Sequence, residues 1–158
     1  MIDSELYAIV RAELLRAGIP KVFMGRQPVR LRIDYEAVYI FPVAEIPYGW
    51  QQRHYAPAGY IAHHKEWARL VKTMQAQTFD NDLAARLRMT LVSLPFVERL
   101  HSQQVGISAV SAIRNPAWLD ESDNYRPAPS LDFDLDYNRT LEPDTPASDI
   151  DKVTIIGV

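Results

Sequence analysis

Residues 130–138 read SLDFDLDYN, and the alternation in that stretch decides the fold. Leu131, Phe133, Leu135 and Tyr137 fall on one side of an extended chain, whereas Asp132, Asp134, Asp136 and Asn138 fall on the other. A strict period of two marks a strand with one buried face and one wet face. The wet face is a row of acid. Like charges side by side repel unless water, cations or a basic partner stands opposite, so the strand presents negative charge to something. An EF-hand calcium loop opens with the same spacing of acids, but it needs glycine at its sixth position and glutamate at its twelfth. Those places hold Tyr137 and Pro143, so the strand reading replaces the calcium loop.

Around this strand, 158 residues are read as a single domain spanning 1–158, large enough to bury about two thirds of the unfolded chain's surface. The chain has no cysteine, which removes disulfides, thiolate metal sites and a cysteine nucleophile. Arg11, Glu13 and Arg16 interrupt the apolar positions of the first twenty residues, so these predict neither a signal peptide nor a membrane span. A soluble intracellular protein with no membrane partner is expected. The net charge of −3 divides unevenly: residues 1–114 hold 14 Lys+Arg against 10 Asp+Glu (+4), and residues 115–158 hold 3 against 10 (−7). A basic body and an acidic C-terminal third let copies of one chain attract each other; the alternative is that the acids solvate loops.

Asp3 or Ser4 is placed to cap a first helix with Leu6, Ile9, Val10 and Leu14 on one side, stopped by Gly18 and Pro20. Strand patterning follows in Val29, Leu31 and Ile33 and in YEAVYIF from Tyr35 to Phe41. Residues 42–62 mix prolines and glycines with Tyr48, Trp50, Tyr55 and Tyr60, which predicts a long loop excursion. For residues 64–78 the pattern is divided. Trp67, Leu70, Val71 and Met74 keep helical spacing, while Ala68, Leu70, Lys72, Met74 and Ala76 alternate, and residue types tip the balance slightly to helix. Asp80 or Asn81 then caps a helix with Leu83, Leu87, Leu91 and Leu94 buried, ending at Pro95. A short helix in PFVERLHSQ, a strand over Ile107–Ile113, a loop from Arg114 to Pro129, the acidic strand, a second loop and a final strand VTIIGV complete the outline. The expected class is α+β, a mainly antiparallel sheet flanked by helices on one side.

Catalytic patterns are sparse. His54, His63, His64 and His101 are the only histidines, and adjacent His63 and His64 do not match the i,i+4 pair of a metalloprotease helix. A small metal-dependent hydrolase using His54, His63 or His64 is kept as the competing enzymatic reading. The sequence holds no nucleophile elbow, phosphate-cradling loop or dinucleotide fingerprint, and no catalytic residue, cofactor or metal ligand is assigned. Arg26, Arg30, Arg32, Arg86, Arg88 and Arg99 give the body a basic tint, but the overall acidity is far from a dedicated nucleic-acid binder.

The order of elements from Gln77 onward resembles the bacteriophage neck or tail-terminator family. The resemblance rests on TFDNDLAARLRMTLVS, on VERLHSQQVGISAV, on a loop with Leu119, Asp120, Glu121, Tyr125 and Arg126, and on the alternating strand after it. It covers about the last 80 residues well, and the first 75 agree in layout. The resemblance implies a tail-terminator-like subunit of a sixfold ring at the junction of tail and neck. Such a virion protein, assembled in the host cytoplasm, stops tail-tube growth and contacts the tail tube protein and the head connector or adaptor. Another head–tail adaptor or a baseplate subunit is the near alternative. The resemblance also implies a strand at Trp67–Thr78 and makes Tyr125 and Arg126 a structural anchor for the loop. In a ring around the DNA path, Asp132, Asp134 and Asp136 are expected either to line the channel, where DNA passes without specific binding, or to face a basic neighbouring copy.

Overall fold

The computed structural model describes residues 1–25, 33–58, 61–119, 125–141 and 144–146. Eleven elements follow one another: α1 (Asp3–Arg16), β1 (Lys21–Met24), β2 (Ala37–Ala58), β3 (Ile61–Gln77), α2 (Asn81–Val92), α3 (Leu94–Ser102), β4 (Val105–Ser108), β5 (Ala117–Leu119), β6 (Tyr125–Pro127), β7 (Ser130–Leu141) and β8 (Asp144–Pro146). The main sheet runs β1-β2-β3-β7-β4, with β8 also pairing to β3 and a separate β5-β6 ribbon. Among the described residues, only β1 and β2 pair in parallel, and the other pairs are antiparallel. This is the expected α+β class with a mainly antiparallel sheet.

Register explains why one face is dry. Ile40, Ala76 and Leu131 share a row across three strands, and Met74 sits beside Phe133 in the next row but one. These residues join Leu6, Val10 and Leu14 of α1, Leu83, Leu87 and Leu91 of α2, and Phe96 and Leu100 of α3 in one buried cluster. All three helices therefore cover the same side of the sheet. Tyr39, Phe41, Phe79 and Ala128 form a much smaller cluster on the other side, and most of that face stays wet.

The alternation of the acidic strand is confirmed: Leu131, Phe133, Leu135 and Tyr137 are buried, each at 2 % exposure or less. Residues 64–77 are strand, as the family resemblance implies for this segment and against the slight helical preference of its pattern. β3 is hydrogen-bonded to β2 on one side and β7 on the other, and a central strand satisfies its backbone in the sheet whatever its helix propensity. The predicted loop over 42–62 is corrected as well. β2 continues to Ala58 and turns into β3 at Ile61, so the excursion is a long hairpin. Its prolines are tolerated because, among the described residues, β1 pairs with Ala37–Ile40 and the rest of that edge of β2 has no ladder partner.

Three smaller corrections concern ends. Helix α1 is capped at Ile2, whose N–H meets Glu5 Oε2 at 2.9 Å, and Asp3 is thereby freed for a different partner. Ser93, extended at ψ 136°, ends α2 and starts α3, so Leu94 begins a new helix and is exposed; Pro95 fits there because first-turn N–H groups need no helical acceptor. The strand expected at Ile107–Ile113 occupies Val105–Ser108, because Ala109 turns left-handed at φ 50° and takes the chain out of the ladder. The strand expectations for Val29–Leu31 and for VTIIGV lie outside the described residues.

Candidate functional site

Two sets of charged groups lie on opposite faces of the β3–β7 ladder. On the open face, Asp132, Asp134 and Asp136 project beside Gln75, Thr73 and Val71. Each is half-buried and each has a partner within the chain. Arg114 Nη2 donates to both oxygens of Asp132 at 2.7 Å, a charge-assisted fork. Thr73 Oγ1 donates to Asp134 at 2.7 Å. Asp136 accepts from Ser108 Oγ at 3.3 Å and lies 3.9 Å from Arg69. The row is thus partly matched at home: the basic body and the acidic third, separate in sequence, meet across β3, β7 and the segment after β4. Exposed pairs of this kind contribute at most about 1 kcal/mol each, so their value is in shaping the field of the face.

The helix face hides a cation that the sequence reading did not single out. Lys72 occupies the alternation Ala68, Leu70, Lys72, Met74, Ala76 and points into the core with its side chain 4 % exposed. Its Nζ donates to Asp3 Oδ1 at 2.7 Å and lies 2.8 Å from Glu45 Oε2. Tyr137 Oη donates to that same Glu45 oxygen at 2.7 Å, and Arg139 Nη1 reaches Glu45 Oε1 at 3.4 Å. The rings of Tyr7 and Tyr137 flank the ammonium at 5.5 and 5.7 Å. Glu45 gets there by a bulge: the register slips between Pro42 and Ala44, which places Glu45 directly opposite Lys72. The cluster ties the start of α1, the middle of the hairpin and the end of β7 together. Only the break in an apolar alternation pointed to it.

Protonation follows from the geometry. Burial pulls the Lys72 ammonium down, but hydrogen bonds to Asp3 and Glu45 outweigh it and hold the group well above the ordinary lysine value. The Lys72 hydrogen bond lowers Asp3, and Glu45 is lowered too, because bonds from Lys72 and Tyr137 overcome its own desolvation. Burial, reinforced by the Glu45 carboxylate, pushes the Tyr137 phenol up to about 12. All members stay in their ordinary charge states near neutrality, which suits a clamp rather than a proton-transfer site.

A second clamp joins α1 to α3. Glu13, 3 % exposed, accepts from Arg99 Nε at 2.8 Å and from Gln103 Nε2 at 3.1 Å, so Arg99 is committed internally. Arg88 likewise donates to the Ser111 carbonyl at 3.0 Å. Arg26, Arg30 and Arg32 lie outside the described residues. Arg126 donates to Tyr35 Oη at 2.7 Å, linking the β5-β6 ribbon to the turn before β2; the side chain of Tyr125 lies outside the description. His54, His63 and His64 lie on the hairpin opposite Lys65, Ala56 and Tyr55, so no two histidines are ladder partners. Among the described residues, no group of three His, Cys, Asp or Glu side chains is placed to hold a metal.

The model of one protein family, described as E217 gateway protein gp29, matches residues 5–147. The chain belongs to that family. It is a phage protein of the neck type, and its family points to a structural part in the virion rather than to catalysis. The match runs from the first helix through the acidic strand, so the long hairpin falls within the family's span, as do Glu45, Lys72, Tyr137 and Arg139. No curated protein matches the chain.

Proposed function

We propose that this gateway-family chain forms a ring, a hexamer, at the phage neck, where it terminates the tail tube and joins the tail to the head connector. The family match over residues 5–147 carries the reading. Two structural features support it. The long hairpin is clamped at its middle by buried charge and offers a stiff arm for contacts between subunits. The open sheet face sets Asp132, Asp134 and Asp136 in one row, where they serve either as a lumen wall that repels phosphate or as a contact for a basic neighbour. The tail tube protein and the head connector are the axial partners, and DNA crosses the channel without sequence-specific binding.

Phage made without this chain tests the proposal directly. Tails of uneven length and unattached heads in micrographs are expected, with a ring of density at the neck restored by complementation. Normal necks, or label from a tagged copy at the baseplate, overturn it.

A further inference from the structure

The described surface carries two apolar patches on different elements. On β2, Ile46 and Tyr48 are 59 % and 65 % exposed on the open face of the sheet, and Arg69 caps the Tyr48 ring at 5.3 Å. At the α2–α3 junction, Met89 and Leu94 are 70 % and 67 % exposed. Beside Met89 lies an open hollow of about 500 Å³ whose walls include Ala17, Asp82, Ala85, Arg86 and Ser93. Gly18, at φ +91°, turns the chain after α1 and leaves room for Arg86 of the hollow's wall, whose Nη2 stands only 2.8 Å from where a Cβ would be.

We propose that Tyr48, with Arg69 stacked on it, seats in the α2 hollow of a second copy of this chain. The inference deepens the ring reading and rests on it. Shape and charge choose this occupant. A tyrosine ring projecting from a clamped strand fits a hollow of this size, and aromatic and arginine anchors dominate protein interfaces. Arg69 faces an only distant carboxylate at home, 3.9 Å away in Asp136, whereas Asp82 and Arg86 in the hollow form no ion pair among the described residues. Seating the knob brings Arg69 toward Asp82 and the Tyr48 face toward Arg86, so both unmatched charges of the hollow gain partners. Knob and hollow lie on different elements, so the contact is heterologous, the type that repeats around a closed ring.

The natural chain has no cysteine, which makes cross-linking a clean test. In the full chain carrying Ile46→Cys, two residues from Tyr48 on the same face of β2 so that the knob is kept, together with Met89→Cys, mild oxidation should give a ladder of covalent oligomers up to the closed ring, and each single variant should give none. Dimers from Ile46→Cys alone would mean a self-complementary contact and overturn the proposal. Wild-type rings by mass measurement, together with no ladder in the double variant, would overturn this contact and leave the ring standing. A wild-type chain that is monomeric both alone and on tail tubes would remove the ring itself and the contact with it. Tyr48→Ala gives the independent check: unchanged circular dichroism with at least tenfold weaker assembly supports the knob, and unchanged assembly overturns it.

Discussion

The two faces of the β3–β7 ladder treat charge in opposite ways. On the open face, three aspartates stand in a row, half-exposed, each held by a neighbour that water also solvates. On the helix face, one lysine is enclosed and two carboxylates reach in to meet it. The conspicuous charges cost little to unpair, whereas stranding the inconspicuous one costs much. The reason is solvation: a charge that keeps its water loses little when its partner leaves, whereas an enclosed ammonium cannot recover its hydration.

The same chemical change on each face puts the contrast to the test. Asp3→Asn with Glu45→Gln strands the Lys72 charge, and urea unfolding should show a loss of about 3 kcal/mol, the lower end for a broken buried pair because Asp3 and Glu45 are themselves partly wet. A loss below about 1 kcal/mol would mean that the Lys72 ammonium recovers its hydration without the two carboxylates, and the contrast would fail. Lys72→Met should cost less than that double change, since the stem's packing is kept and the two acids return to solvent.

Acid sharpens the comparison. Asp3 and Glu45 are lowered in the folded state, so their stabilisation is present above the unfolded carboxylate value of about 4 and is lost as pH falls through their folded values. The wild-type stability curve should therefore fall below pH about 4 more steeply than that of the Asp3→Asn, Glu45→Gln variant. On the alkaline side the sign reverses. Tyr137 is raised to about 12, so its contribution is complete below about pH 10 and disappears as pH rises toward 12.

Smaller effects complete the series. Asp80 accepts from the Leu83 N–H at 2.8 Å as the cap of α2, and Asp80→Ala should cost about 1 kcal/mol by the same unfolding measurement. Asp132→Asn with Asp134→Asn, the open-face counterpart of the first variant, should cost no more than about 1 kcal/mol. A cost as large as that of the helix-face variant would erase the difference between the two faces.

How much of this was legible can be argued residue by residue. SLDFDLDYN announced both its structure and its burial, because an alternating strand needs only its own side chains to define two faces. The caps of α2 and the helical spacing of its leucines were legible for the same local reason. Residues 42–58 were not: prolines, glycines and aromatics spell a loop locally, and strand form there depends on β3 running alongside. Nor was the Lys72 site, whose members come from four distant parts of the chain.

By itself, the sequence determined the acidic strand, the helices and the α+β class, since periodicity and capping act within a few residues. Only the tertiary structure decided between the two patterns of residues 64–77 in favour of a central strand, made the excursion a hairpin, and set a bulge at residue 43 that aims Glu45 at Lys72. Those outcomes depend on backbone hydrogen bonds and enclosed charge between segments far apart in the chain, 92 residues in the Tyr137–Glu45 bond, and no local pattern encodes such pairings.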